Sequence, residues 1–590
     1  MKVDPKLTFG VVLVSLVAGV IQAATYYVDA SRPDDSGDGL SWATAKKTIQ
    51  AAVYLAGDGD TVLVTNGVYD VGAHVVPESV LPNRVAITNT VLVRSVNGPA
   101  QTFIVGEGPG GTNAVRCVYI TEGTLSGFTL SNGHTRTEWD LARDSLGGGA
   151  YALGGTLTNC ILTGNSARDG GGAAYGTLYN CTLSGNWAGR YGGGASGATL
   201  YDCILFDNRA FLGGGASSST LYNCTLFSNL ADSWGGGAFM GTLHNCTLSR
   251  NRASDRGGGA YGGTLYNCTL SGNTAEAGGG AYGGALYNCV LSRNLAASVG
   301  GGAFMGTLHN CTLSANSAEG AGGAAYSTLY NCILLGNLAD FWGGGTYGGT
   351  LYNCTLSGNA AGIGGGGAYG GTLYNCIVYY NTAQERPNYD RSTLWYSCTT
   401  PLPEGDGNIS AEPMFVDWVG ENYRLAAGSP CINAGINAYA LTNMAPYDLD
   451  GHPRIIGDRV DMGAHEYPYT GHGVHYAWLQ QYRLPIDGSA DSLDQDGDGM
   501  ATWQEYIAGM DPINAVSVFR LSIEGGGSIL SWPSVAGRVY AVEYATNLNA
   551  GGFRPLAGAT NLPPTPPRNT FTNVTWIGPM EFYRVTVRLE

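Results

Sequence analysis

From about Gly147 to Asn381 one short pattern of apolar and polar positions recurs: Gly-Gly-Gly-Ala-Tyr-Gly-Gly-Thr-Leu-Tyr-Asn-Cys-Thr-Leu-Ser-Gly-Asn, clearest at Gly258–Asn273 and Gly365–Asn381. Within a unit, alternation points Leu178 inward and Tyr179 outward. Asn180, a residue that tolerates a left-handed bend, resets the phase so that Cys181 and Leu183 also point inward. There is no 3.6-residue period, and glycine triplets weaken any helix. The pattern predicts short strands joined by Asn bends and Gly turns.

The cysteines give the period. Cys160, Cys181, Cys203, Cys224, Cys246, Cys268, Cys289, Cys311, Cys332, Cys354, Cys376 and Cys398 are separated by 21 or 22 residues throughout. So regular a period marks one unit stacked on itself, and leucine-rich repeats of similar length need a different Leu/Asn grammar. The fold class predicted is all-β: a parallel β-helix solenoid, followed by a short EF-hand-like calcium segment and a small C-terminal β-sandwich. With coils roughly 4.8 Å apart, twelve make a rod on the order of 55 Å long. Stacking also predicts two amide ladders, one through Asn180, Asn223, Asn245 and their successors with Asp202 interposed, the other through Asn165, Asn186 and Asn208 to Asn381. Amides in register satisfy one another, which explains the Asn-Cys-Thr triplets better than glycosylation does.

Flanking elements follow from local pattern. Lys2 and Lys6 before an apolar run Phe9–Ile21 and small residues at Ala23 and Ala24 read as an export signal over 1–24. Residues 25–132 read as an N-terminal cap and first coils: a strand at Tyr26–Asp29, a helix at Thr44–Ala56 covering the open edge, and strands at Thr61–Thr65, Val91–Ser95, Val115–Ile120 and Leu125–Leu130. The repetitive β-helix spans 133–398, a closing module 399–470, a calcium segment 471–513 and the sandwich 514–590. The sandwich strands are expected at Val518–Ile523, Ser528–Trp532, Arg538–Tyr544 and Tyr583–Leu589, with Trp532 in its core.

Composition changes the picture in three ways. The net charge of −16 does not come from the coils, where seven Arg face eight Asp plus Glu, so the acidity lies in the flanks and argues against nucleic acid as a partner. No lysine follows Lys47, which leaves a uronate lyase only Arg as a base. Fourteen cysteines in an exported chain suggest disulfides, yet stacked Cβ atoms roughly 4.8 Å apart are too far for a bridge, which wants about 3.5–4.5 Å. The column therefore reads as small buried hydrophobes, with Cys398 and Cys431 the better candidates for a pair.

Three sets of residues carry candidate chemistry. Asp494, Asp496, Asp498, the Met500 carbonyl, Thr502 through water and bidentate Glu505 fill the slots of an EF-hand loop, with Gly499 at the sharp turn, and call for Ca²⁺. A short helix at Trp478–Tyr482 would enter it and one at Trp503–Ala508 leave it. The turn after the second Asn of each coil varies, and its Trp187, Arg190, Tyr191, Phe211, Trp234, Phe341 and Trp342 would line one edge suited to sugar rings or a protein partner. The excursion between Asn132 and Gly147 clusters titratable groups, so Arg136, Glu138, Asp140, Arg143 and Asp144, with His134, are the candidates should catalysis exist. His244 and His309 occupy identical phrases, Gly235–Ser249 and Gly300–Ser314, three coils and roughly 14 Å apart, and read as replacements of the repeat Tyr rather than metal ligands.

Tyr27-Val28-Asp29 through Asp58-Gly59-Asp60-Thr61-Val62 resembles secreted right-handed β-helix proteins of the pectate-lyase-like superfamily. The coils are similar to the repeats of chlamydial polymorphic outer membrane proteins, without their C-terminal barrel. Phe415-Val416-Asp417, Tyr423-Arg424-Leu425, Ser429–Gly435 and Asp461–Tyr467 resemble the choice-of-anchor Q module that closes bacterial surface β-helices. The calcium run resembles single segments of dockerin-like and thrombospondin type 3-like proteins, while Asp448-Leu449-Asp450-Gly451 lacks a closing Glu. These resemblances imply a right-handed β-helix, a secreted or extracellular location at a bacterial cell surface, and adhesion or glycan binding with a structural calcium. The expected partner is a polysaccharide or another surface molecule, with no transmembrane segment in a monomeric mature chain. A polysaccharide lyase or glycoside hydrolase acting on acidic polysaccharide is the alternative.

Overall fold

The computed structural model describes residues 23–137, 142–440, 446–457, 459–525, 529–548, 552–572 and 581–590. Most of the expected export signal, and Glu138 and Asp140 of the excursion, lie outside them. The chain divides into two compact units, one ending at Thr247 and one beginning at Leu248. It is a parallel β-solenoid with few helices.

In the first unit each regular coil is four short strands joined by four bends. Thr177–Tyr179, Thr182–Ser184, Trp187–Tyr191 and Ala195–Ser196 are successive strands. The chain turns after them at Asn180, Gly185, Gly192 and Gly197, whose φ values are 51°, 60°, 63° and 66°. Every corner is left-handed, which β-carbons penalise and Asn or Gly tolerates. Successive Thr-Leu-Tyr strands pair in parallel register, Leu178 against Leu200 and Leu200 against Leu221. Nine strands from Thr25–Val28 to Thr242–His244 stack this way. Leu178, Cys181, Leu183, Ala188 and Ala195 fill the interior and are at most 1% exposed.

The last two glycines of each triplet serve another purpose. A β-carbon on Gly193 would meet the Arg209 and Gly214 carbonyl oxygens at 2.5 Å, and one on Gly194 the Gly215 carbonyl at 2.6 Å. Adjacent coils approach too closely there for any side chain.

The segment after the second Asn, expected as a turn, is a strand. Ser166–Asp169, Trp187–Tyr191, Arg209–Leu212 and Leu230–Trp234 form part of a fourth sheet. Its pairings share a bulge, as between Ala188 and Tyr191, so register is kept only at the start of each strand. The cap helix is also shorter than expected: Trp42–Thr44 is a 3₁₀ turn, the chain extends at Ala45, and Thr48 recaps helix α1, Ile49–Val53, by accepting from the Ala51 amide. The expected strand at Leu125–Leu130 breaks at Gly127, φ 79°, into Thr124–Ser126 and Thr129–Ser131.

The second unit continues the same coil to Cys398–Thr399 and closes it with an irregular segment. A hairpin, Phe415–Asp417 with Asn422–Leu425, contributes Phe415, Tyr423 and Leu425 to a core shared with Ile377, Cys398, Cys431 and Met462. Cys398 and Cys431 thus meet in one cluster, but all fourteen cysteines are buried free thiols. Helices α2 (Tyr476–Gln481) and α3 (Thr502–Ala508) follow, then two three-stranded antiparallel sheets packed around Leu530, Trp532, Tyr540 and Val542. The first sandwich strand is Ser522–Glu524, shorter than expected.

Both amide ladders form, in different environments. Asn294 is 1% exposed; its Nδ2 donates to the Leu270 carbonyl and to Asn316 Oδ1, both at 2.9 Å. The outer ladder is solvated along Asn267 and Asn288 but becomes buried where the closing segment covers it. There Asn331, Asn353 and Asn375 donate to the carbonyls of Tyr447, Ala440 and Ile436 at 2.6, 3.1 and 3.2 Å.

Candidate functional site

The variable strands bring most of the edge residues named above onto the fourth sheet. In the first unit Trp187 and Phe211 stand 48% and 50% exposed, with the Arg209–Asp232 ion pair at 2.9 Å on the same face. Arg190 lies over the Tyr191 ring at 4.5 Å. Tyr191 and Trp234 instead turn toward Phe239, at 6.1 and 6.3 Å, so two of this unit's four edge rings form open platforms. In the second unit Phe341 and Trp342 follow the strand Leu338–Ala339, 5.4 Å apart, and Trp342 leans on Tyr369. There the fourth sheet floors a shallow groove of about 390 Å³ lined by Arg252, Thr274, Glu276, Ser317, Glu319 and Asp340. Glu276, Ala297, Glu319 and Asp340 each follow one of the in-register alanines Ala275, Ala296, Ala318 and Ala339, and all four line this groove.

The excursion is largely structural. Asp144 is 1% exposed and accepts from Ser79 Oγ at 2.5 Å and the Val80 amide at 2.8 Å. Arg116, fully buried, donates to the carbonyls of Arg143, Leu146 and Gly147 and to Asn83 Oδ1. Its burial lowers its pKa to about 10. Arg143 reaches Glu78 at 3.8 Å, His134 Nδ1 lies 3.0 Å from the Asn132 carbonyl, and the Arg136 amide donates to the Asp144 carbonyl at 2.9 Å. Arg116 carried no sequence signal: a lone Arg in an apolar strand is visible as an anchor only once its neighbours are known.

The acidic loop is preorganised by its own backbone. Asp494 Oδ1 accepts from the Gly497 amide at 2.7 Å and Oδ2 from Gly499 at 2.9 Å, while Asp498 Oδ1 accepts from Met500 at 2.7 Å. Gly497 and Gly499 take φ values of 81° and 97°, open only to glycine at low cost. Ligand oxygens of Asp494, Asp496 and Asp498 lie within 4.8 Å of one another. Asp496 Oδ2, Asp498 Oδ2 and both oxygens of Glu505 are buried without a hydrogen-bond partner, and Glu505 is 0% exposed. Burial, then Asp496, Asp498, Asp494 and Asp511, push the Glu505 carboxyl up to about 8. Four orphaned buried carboxylate oxygens are costly alone and fit a hard divalent cation with oxygen ligands. Thr502 Oγ1 donates to the Leu493 carbonyl at 3.0 Å, leaving its lone pairs to accept.

Asp448, Asp450 and His465 also converge, but their oxygens are spoken for. Asp450 binds Arg424 through both oxygens and His465 Nδ1 at 2.9 Å. Asp448 accepts the amides of Asp450, His452 and Glu466 at 2.7–2.9 Å. Nearby, Arg454 and Glu466, both 0% exposed, pair at 3.0 Å. Asp461 accepts the amides of Asn433 and Tyr467 at 2.6 Å. The polar residues of this motif therefore hold loops together. His244 and His309 stack in the Tyr column at 4.8 Å from Tyr222 and Tyr287. Among the described residues no helix is long and apolar enough to cross a membrane.

No family model matches the chain, and no curated protein matches it by sequence. Among solved structures it is similar to pectate lyase Pel9A, with 13% identity over 76% of this chain and 97% of that one and a TM-score of 0.23. A GH136 lacto-N-biosidase from Eubacterium ramulus gives 11% identity over 63% and 68%, TM-score 0.24. A rhamnogalacturonan lyase gives 13% over 69% and 96%, TM-score 0.17.

Proposed function

We propose that this chain is a secreted β-helix protein of a bacterial surface that binds glycan through the exposed face of its fourth sheet and carries a structural calcium. The observation that carries the reading is the pairing of Trp187 and Phe211 as half-exposed rings beside Arg209 and Asp232 on one strand-built face. Rigid aromatic platforms with hydrogen-bonding charges at their side suit the apolar faces and hydroxyl rims of pyranoses. Closing-module and calcium-segment resemblances belong to the same proposal: residues 399–470 as an anchor-type closure, 471–513 as a single-loop calcium segment.

Asp494, Asp496, Asp498, Glu505, the Met500 carbonyl and Thr502 through water would hold the ion, which would supply charge compensation rather than chemistry. The site stiffens a joint. Arg538 of the sandwich donates to the Tyr506 and Ile507 carbonyls at 2.7 and 2.5 Å, so the helix carrying Glu505 is tied to the domain that follows.

The hydrolase or lyase alternative has one observation in its favour, the carboxylates Glu276, Glu319 and Asp340 that line one groove. An acidic groove repels the acidic polysaccharides that a lyase needs, so binding takes precedence. The test is a Trp187→Ala/Phe211→Ala double variant against a panel of immobilised polysaccharides. Binding should fall roughly ten-fold or more with unchanged melting. Undiminished binding, or release of unsaturated or reducing-end product by the wild type, would overturn the reading.

A further inference from the structure

A second recess lies on a different sheet of the second unit. The tip of the Phe415–Leu425 hairpin overhangs the outer face of the Thr-Leu-Ser strands and encloses a groove of about 670 Å³. The floor is a straight row, because sheet register places Ser292 beside Ser314, Ser314 beside Leu335 and Leu335 beside Ser357. Side chains in that row advance by roughly 4.8 Å per coil. Bend glycines Gly336 and Gly358 leave the neighbouring strip clear; an added β-carbon on Gly336 would meet nothing within 4 Å.

The wall is held in advance of any ligand. Phe415, Tyr423 and Leu425 are anchored in the core with Cys398 and Met462, and Gly420 is fixed by Asp417 Oδ1 at 3.0 Å. Trp418 lies flat on Tyr380, with centroids 4.7 Å apart and planes 14° from parallel, yet remains 47% exposed. Its ring is thus backed by a second ring and open to the groove side. Ser357 is 1% exposed and lies beside Tyr423, and its buried Oγ makes no hydrogen bond of good geometry within the chain. A buried orphan hydroxyl lining a recess calls for a ligand hydroxyl.

We infer that this groove is a binding site for a neutral oligosaccharide, with Trp418 as the stacking platform and the Ser292–Ser314–Ser357 row as hydroxyl partners. Serine hydroxyls donate and accept, matching sugar hydroxyls. The two charged lining residues, Arg293 and Glu421, cancel, so nothing there selects a uronate or a phosphate. A coil step close to the length of one pyranose lets Ser292 and Ser314 meet successive sugars, with Leu335 as an apolar step before Ser357. The site is built on the Thr-Leu-Ser strands rather than the fourth sheet and stands independently of the function proposed above.

The experiment is calorimetry of the full chain with cellohexaose, mannohexaose and xylohexaose, and with tetragalacturonate as the acidic contrast. Two variants are compared with the wild type. Trp418→Ala removes the platform. Ser314→Phe fills the floor, and the coil accepts a ring there, since Phe206 and Phe227 already stack at the equivalent row positions in the first unit, 5.0 Å apart. The expected result is saturable heat with at least one neutral hexaose, reduced roughly ten-fold or more in both variants and unaffected by Trp187→Ala/Phe211→Ala. No heat with any neutral hexaose, binding of tetragalacturonate alone, or wild-type affinity in Ser314→Phe would overturn the proposal. Loss of hexaose binding only in the Trp187/Phe211 variant would overturn it too, while leaving the fourth-sheet reading intact.

Discussion

Asparagine does three jobs in this chain, distinguished by its place in the coil. At the first corner it accepts a left-handed backbone; at the second it lies inside and bonds amide to amide; at Asn331, Asn353 and Asn375 the corner residue also fastens the closing segment. The consequences of removing it differ accordingly. Asn294→Ala deprives Asn273 of its acceptor at 3.0 Å and the Leu270 carbonyl of its donor, leaving buried groups unmet, and should cost about 2–4 kcal/mol. Asn288→Ala, on the solvated stretch, should cost about 1 kcal/mol. Urea denaturation of the two variants checks the ordering. Cysteine is the opposite case, one role repeated along the column: Cys289, for one, donates to carbonyls of its own and the preceding coil, Tyr287 at 3.3 Å and Leu265 at 3.6 Å.

Strands of three residues are too short to persist alone, so the bends and contacts between coils decide what forms. Gly301→Ala would bring a β-carbon within 2.4 Å of the Ser317 carbonyl and should disrupt stacking. Gly283→Ala, at φ +64° with nothing within 4 Å, should cost only about 1–2 kcal/mol. Thermal melting of the pair separates close approach from corner strain. The sequence made three of the four sheets readable because Thr-Leu-Tyr, Thr-Leu-Ser and Ala-Tyr recur. The fourth was hidden, since Trp-Ala-Gly-Arg-Tyr and Leu-Ala-Asp-Ser-Trp share little. Its one regular signal was the Ala at the second strand position, Ala167, Ala188, Ala210 and Ala231, each at most 4% exposed. The Trp418 groove could not be read at all, because its wall and floor lie 60 to 130 positions apart in the chain. The calcium loop was the reverse: all six ligands fall within twelve residues, so spacing alone exposed it. Chelation with EGTA should speed amide exchange over 493–508 and in the Arg538 strand that caps α3; equal exchange with and without Ca²⁺ would refute a structural ion.

For the molecule as a whole, the coils contribute little net charge, while the closing segment buries carboxylates of its own. Asp461 is buried, and despite two amide donors and Arg454 its pKa rises from 3.8 to about 6; Glu466, buried beside it, shifts in the same direction. A raised carboxyl pKa means the folded state holds its proton more tightly than the unfolded one. Stability from this source is complete below about pH 4 and is lost as pH rises through about 6, by up to about 3 kcal/mol for Asp461. The urea midpoint of the closing segment, at fixed free calcium, should therefore be higher at pH 5 than at pH 8, and Asp461→Asn should flatten the difference.

Gly235–Ser249 and Gly300–Ser314 are the same fifteen letters, and each coil meets the next through the same few atoms. Nothing in such a junction counts. A gene that gained or lost one 21- or 22-residue phrase would still encode matching surfaces above and below the change. Length is thus free to drift by recombination while the faces that meet ligands keep their chemistry.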